Sequence, residues 1–353
     1  MISPKFLAIA IGLFFSLDLF AHDFEVLFPY SFGRDALEKQ DGLGFNTELR
    51  TFLVDGEIES TGTESVTFDR TLNSHLRLVV YSPISDKLSA RAVISTVASY
   101  RKVEGKEQPR TIKTESFYDL KPRLEMTFVT QSAVEIFFGL NYRIAGAFDS
   151  ITESIDSTTT EKYQAARMDY PHFGFVKRAG GFVGGFYFQQ GAEKARTVEK
   201  SNDRETTVLS LEDRIQDPTT IGIFAKNKIS RYDVYTEFAA IQAGEGGNKT
   251  DDGGSVEEDY IRLTIGALIP ASFIDIETTY IIKTLSYADS RNVSLKTIPQ
   301  MGLHVDFLLS LGALDLKAGL VSGYGQDKQS IDEFNADYKV LTYGGTLGLK
   351  ASF

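Results

Sequence analysis

From Tyr338 to its last residue the chain reads YKVLTYGGTLGLKASF, and its apolar and polar positions alternate almost without a break. Leu341, Tyr343, Gly345, Leu347, Leu349, Ala351 and Phe353 share one phase, and Thr342, Gly344, Thr346, Gly348, Lys350 and Ser352 share the other. A period of two is the signature of a strand with unlike faces. Upstream, Leu314, Leu316, Ala318 and Leu320 alternate with Asp315, Lys317 and Gly319, and Met301, Leu303, Val305 and Phe307 alternate with Gly302, His304 and Asp306. The same holds for Ile261, Leu263 and Ile265 against Arg262 and Thr264, for Ile136, Phe138, Leu140 and Tyr142 against Glu135, Gly139, Asn141 and Arg143, and for Leu43, Phe45 and Leu49 against Gly44, Asn46 and Glu48.

This periodicity predicts about fourteen strands, with twelve to sixteen allowed, over residues 42–54, 64–81, 86–103, 110–130, 134–147, 160–176, 181–190, 214–227, 231–243, 259–269, 273–287, 293–309, 313–325 and 337–353. Several are ten residues or longer, against about five or six in globular proteins. Short connections near Gln131–Ala133, Arg178–Gly180, Asn227–Ser230, Pro270–Ser272 and Leu311–Gly312 alternate with long polar ones at Asp149–Thr159, Gly191–Asp217, Gly244–Glu258 and Gln326–Glu333. Tight turns on one rim and long loops on the other, with long two-faced strands, predict an all-β fold: a transmembrane antiparallel up-and-down β-barrel. An even strand number puts both ends of the barrel on the periplasmic rim. Tyr343 and Phe353 are ten residues apart on the apolar phase. A tilted strand of that length rises roughly 25 Å, the height of the apolar band of such barrels.

The ending resembles the C-terminal strand of bacterial outer-membrane proteins, on Tyr343, Leu347, Leu349, Ala351 and Phe353. The resemblance implies that these residues are the assembly signal read by the barrel-insertion machinery. Length and strand number also resemble the long-chain fatty-acid transporter family, whose fourteen-stranded barrels carry an N-terminal plug. The chain departs from that family in having only residues 22–41 before the barrel and no Asn-Pro-Ala hatch motif, although its apolar Phe24–Tyr30 stretch fits inside a lumen.

The N-terminus reads as a secretory signal peptide over residues 1–21. Lys5 supplies the charge, Phe6 to Leu17 is the apolar run, and Ala21 precedes a mature start at His22. That run is too short to span a bilayer as a helix. Residues 22–41 form a periplasmic or lumenal segment and 42–353 the barrel. Among 353 residues there is no cysteine, which excludes disulfides and thiolate metal sites, and no tryptophan, which leaves 26 Phe and 16 Tyr to line the membrane interfaces. A net charge of −11 argues against nucleic acid as a partner.

The polar phase predicts the lumenal wall. Its acidic members are Glu48, Glu135, Asp233, Glu237, Asp275, Glu277, Asp306 and Asp315, with Glu125 beside them; its basic members are Arg50, Arg91, Arg143, Arg167, Arg262, Lys283, Lys317 and Lys350, with Arg77; His304 lies among them. So many ionised groups in a dry interior would each cost several kcal/mol unless paired, so the pattern predicts a lumen with room for water. Mixed signs predict weak charge selectivity, tilted toward cations by the acidic Asp251, Asp252, Glu257 and Glu258. His22, His75, His172 and His304 fall in no nucleophile–base arrangement, Gly180, Gly181, Gly184 and Gly185 lack the Lys-Ser/Thr of a phosphate loop, and neither metal nor cofactor is expected.

The chain therefore reads as a non-enzymatic outer-membrane pore for passive diffusion of small solutes. The alternatives are a plugged barrel that transports hydrophobic molecules and a structural or adhesive barrel whose loops do the work. Partners implied are small solutes, outer-membrane lipid, lipopolysaccharide and the assembly machinery. Monomer and trimer stay open, because lipid-facing and subunit-facing walls are both apolar.

Overall fold

The computed structural model describes residues 42–353 apart from 61–64, 106–111, 147, 154–157, 203–204, 231, 247–254, 270–273, 289–292, 298–299, 312, 332–333 and 353. The predicted signal peptide, the segment 22–41, the acidic loop at Asp251 and Asp252, the turn at Pro270–Ser272 and the terminal Phe353 lie outside the described residues.

The described residues form nineteen strands: β1 (Gly44–Ser60), β2 (Ser65–Ser85), β3 (Leu88–Gly105), β4 (Ile112–Val129), β5 (Val134–Ala145), β6 (Phe148–Glu153), β7 (Thr158–Tyr163), β8 (Ala166–Ala179), β9 (Phe182–Gln189), β10 (Ala192–Asn202), β11 (Glu205–Asp217), β12 (Thr219–Ile229), β13 (Tyr232–Gly246), β14 (Ser255–Ile269), β15 (Ile274–Ala288), β16 (Val293–Thr297), β17 (Gln300–Leu311), β18 (Leu314–Ile331) and β19 (Phe334–Ser352). Fourteen of them pair antiparallel in one ladder. It runs from β1 through β2, β3, β4, β5, β8, β9, β12, β13, β14, β15, β17 and β18 to β19. β19 then pairs back onto β1, from Gly44↔Ser352 to Ser60↔Ala336, so the ladder returns to its start. Each of the fourteen strands thus has a partner strand on both sides, which is what a sheet in hydrocarbon requires.

The five remaining strands extend the rim that carries the long connections. The first residues of β4 outlast β5 and pair with β6, from Ile112↔Glu153 to Ser116↔Asp149. β6 and β7 form a hairpin, β7 pairs with the end of β10, and β10 pairs with β11. β16 pairs with the distal end of β18. Stretches expected to be loops, Asp149–Thr159, Gly191–Asp217 and Gln326–Glu333, are therefore largely strand. Their sequences are mostly polar and carry no sustained alternation.

At the opposite rim the connections are tight. Ala133, Gly180 and Ser230 all take left-handed backbone there, at φ 56°, 59° and 57°. For a non-glycine residue this costs about 1–2 kcal/mol. In the first of these turns the cost is offset by Ala133 N–H donating to the Thr130 carbonyl (3.1 Å) and Val134 N–H to the Thr130 hydroxyl (3.2 Å).

Outside, the ring presents a continuous apolar surface that includes Leu72, Leu76, Leu78, Phe138, Leu140, Leu320 and Leu347, all exposed. Two pairs of outward rings meet on neighbouring strands, Phe173 with Phe188 (5.2 Å between centroids) and Phe175 with Phe186 (6.1 Å). An apolar surface of this extent is not compatible with water on that side of the wall. The fold is that of an outer-membrane β-barrel, as the alternation predicts.

Candidate functional site: the lumenal wall

The inward face is where the structure departs from the sequence-based expectation. Glu48, Arg50, Arg91, Arg143, Glu237, Arg262, His304 and Asp306 all point inward, and each is only 1–8% exposed. These side chains are packed and paired, not lined along open water. Glu135, Asp233, Asp315, Lys317 and Lys350 lie on the same face, half-buried. Asp275 and Glu277 share rungs with Asp306 and His304, and Lys283 pairs with Tyr260; the side chains of these three are not among those described.

Arg167 belongs on the other face. β8 turns Ala166, Met168, Tyr170, His172, Gly174 and Val176 inward, and leaves Arg167, Asp169, Phe173 and Phe175 exposed. Apolar residues occupy both phases of this strand, so its sequence does not fix which face is which. Of the C-terminal residues, Tyr343 and Leu347 are exposed on the outer wall, Leu349 is half-buried and Ala351 is buried.

A recurring device holds the inward charges together. Ordinarily an inward side chain contacts neighbours one strand away. Here glycines let contacts span two. Glu125 on β4, Gly139 on β5 and His172 on β8 share one rung. Over the bare backbone of Gly139, His172 Nε2 lies 3.2 Å from Glu125 Oε2, while Arg91 donates to the other carboxylate oxygen. A Cβ on Gly139 would stand 2.6 Å from His172 Cε1, inside van der Waals contact.

The same arrangement recurs where the ring closes. Asp306, Gly319 and Thr346 share a rung on β17, β18 and β19, and the Thr346 hydroxyl donates to Asp306 Oδ1 across the glycine at 2.8 Å. Two rungs on, Lys317 on β18 reaches over Gly348 of β19 to Glu48 Oε2 of β1 at 3.0 Å. Lys317 Nζ also lies 2.6 Å from Asp306 Oδ2, and His304 Nε2 lies 2.7 Å from Asp306 Oδ1. Arg50 donates to Glu48. In the third sector the Tyr187 ring lies over Gly222, and its hydroxyl donates to Glu237 Oε1 at 2.8 Å, two strands away. Arg262 donates to the same oxygen at 2.6 Å.

Beyond the expected Glu125, β4 supplies wall charges that the periodicity alone does not assign. β4 alone turns Lys113, Glu115, Asp119, Lys121, Arg123 and Glu125 inward. Arg143 joins Asp119 (2.7 Å) to Asp217 at the end of β11 (3.1 Å), and Arg101 donates to Glu115 at 3.1 Å. The signal was present, since these charges share one phase of a strand whose other phase holds Tyr118, Leu120, Leu124, Met126 and Phe128. The adjacent Lys113–Thr114–Glu115–Ser116 stretch, polar on both phases, obscures it.

The wall is not uniform in character. Phe137, Val176, Tyr187, Phe224 and Tyr235 form an inward apolar cluster toward the tight-turn rim. Ala145, Ala166, Met168 and Tyr170 form another toward the long-connection rim. β8 runs between them with no Asp, Glu, Lys or Arg at any of its inward positions from Ala166 to Val176. This column, without ionised groups other than the titratable His172, lies beside the charged β4, separated from it only by β5.

No known family model and no curated protein matches the sequence. Solved structures do match in fold. The toluene transporter TodX of Pseudomonas putida superposes with a TM-score of 0.59 at 8% identity, covering 89% of this chain and 91% of that one. A FadL homologue of Pseudomonas aeruginosa gives 0.57 at 8% identity over 89% and 90%. The CymD monoaromatic hydrocarbon channel gives 0.50 at 8% identity over 89% of both chains. At such identity the likeness is one of fold: a fourteen-stranded outer-membrane barrel whose architecture resembles these channels.

Proposed function

We propose that the protein carries small hydrophobic molecules across the outer membrane, rather than serving as an open pore for polar solutes. The observation that carries this reading is the burial of the mid-lumen charges, paired with one another, beside a column with no Asp, Glu, Lys or Arg that joins two apolar clusters. A hydrated ion or sugar entering this lumen would have to displace paired charges or shed water, at several kcal/mol for a charge. An uncharged apolar solute meets no such penalty, and gains by leaving water for the surfaces around Met168 and Phe224. The fold neighbours named for hydrocarbon or toluene transport support the same reading, and passage would follow the solute's own gradient without an enzymatic step.

Two measurements test it together. In planar bilayers the purified protein is expected to leave KCl conductance at the level of bare lipid. In vesicles with a lipopolysaccharide outer leaflet it is expected to speed equilibration of toluene over protein-free controls. Steady ohmic current proportional to the amount of protein, with no effect on toluene, would return the protein to the class of diffusion pores.

A further inference from the structure

We infer that the barrel excludes ions with side chains of its own wall, fastened across glycine gaps, and that Lys317 and His172 are among the residues that decide this selectivity. The inference rests on the reading of the protein as a carrier of uncharged solutes and supplies its specificity element. Inward side chains two strands apart start from backbones separated by about 9–10 Å, since each strand spacing is about 4.8 Å. A residue with a side chain in the middle position would keep them apart. Glycine there at 139, 319 and 348 permits the contacts Glu125–His172, Asp306–Thr346 and Lys317–Glu48.

These contacts turn charges along the wall instead of out toward the axis. Each charged group then has its partner before any ion arrives, and offers no coordination to replace lost water. The linked groups are spread around the ring. One runs from Arg91 on β3 to His172 on β8, one from Tyr187 on β9 to Arg262 on β14, and one from His304 on β17 to Glu48 on β1. β2 turns the buried Asn73, His75 and Arg77 inward beside these groups. Lys317 is the joint of the third group, since it holds Asp306 and Glu48 at once.

Two substitutions attack different joints. Lys317→Met removes the cation and leaves two carboxylates without it. His172→Ala removes the imidazole that meets Glu125 Oε2 across Gly139 and leaves the glycine backbone undisturbed. Each is expected to raise KCl conductance in planar bilayers at least tenfold over the wild-type chain, with cation preference in Lys317→Met. Lys317→Arg keeps the charge and is expected to stay silent, as is the wild-type chain lacking residues 22–41. Heat-modifiable gel mobility confirms that each variant is a folded barrel.

The inference fails if both folded variants are as silent as wild type. It fails equally if removal of residues 22–41 alone opens the barrel, which would place the seal in that segment. Toluene equilibration by the wild-type protein is read in parallel. Its absence, with ion exclusion and its loss in the variants intact, overturns the transport reading and leaves the ion seal standing.

Discussion

Leu320→Arg and Leu347→Arg are each expected to lower the folding stability of the barrel in lipid vesicles by about 2–4 kcal/mol, the cost of an arginine facing lipid near the bilayer midplane. Both leucines are among the most exposed apolar residues, at 66% and 62%. Both sit near the middle of their strands' apolar phase: Leu347 between Tyr343 and Phe353, Leu320 between Leu316 and Tyr324. In a water-soluble sheet the same substitutions would be nearly neutral or favourable, because an exposed leucine in water contributes little. The sign of the effect therefore tests what solvent the outer wall meets. Ser322→Arg serves as the control. It is exposed on the same face of β18, on the rung of Tyr343, where the cost falls to about 0–1 kcal/mol. Because the chain has no tryptophan, urea titrations are best followed by circular dichroism or gel mobility. Equal stabilities for all three variants and wild type would mean that the wall at Leu320 and Leu347 does not face lipid.

That outer face is also the part of the fold most legible in the sequence. Lipid imposes one rule on every second residue of every membrane-crossing strand, and long strands repeat it often enough to give their number. β5, expected at 134–147, is found at Val134–Ala145, whereas β8 and β17, expected from 160 and 293, begin at Ala166 and Gln300, and β1, expected to end at 54, runs to Ser60. The rule lapses above the membrane, which is why the sequence of the β6–β7 and β10–β11 hairpins predicts loops. It is ambiguous on β8, where Met168 and Tyr170 turn inward and displace Arg167 to the outside.

The interior was legible in composition but not in arrangement. Counting inward charges one at a time leads to a watery lumen, because each looks unpaired. Whether Lys317 meets Glu48 depends on β19 closing onto β1 in one register, and those two residues are 269 apart in sequence. The glycines at 139, 319 and 348 were visible on the charged phase of their strands. Their role as gaps appears only once both neighbouring strands are known.

The Glu237–Arg262–Tyr187 group shows what that arrangement implies for stability. Glu237→Leu or Arg262→Met alone is expected to cost about 3–5 kcal/mol, because each leaves its former partner buried without its counter-charge. The double variant Glu237→Leu/Arg262→Met is expected to recover most of the loss, since two apolar side chains then fill the space of an ion pair. Recovery stays incomplete while the Tyr187 hydroxyl, which donates to Glu237 at 2.8 Å, remains without that acceptor, at about 1–3 kcal/mol. Adding Tyr187→Phe removes that donor and is expected to bring stability back close to wild type. The ring still packs over Gly222 and beside Phe224, at 6.4 Å between centroids. The ordering of single, double and triple variants, read as urea midpoints in vesicles, is therefore strongly non-additive, as expected for side chains in one network. A water-filled lumen gives the opposite result. There each charge is solvated on its own, the single variants lose less than about 1 kcal/mol, and their effects add. The cycle thus measures the dryness of the lumen directly, independent of any transport assay, and additive small losses would remove the physical basis for a barrel that passes apolar molecules while holding back ions.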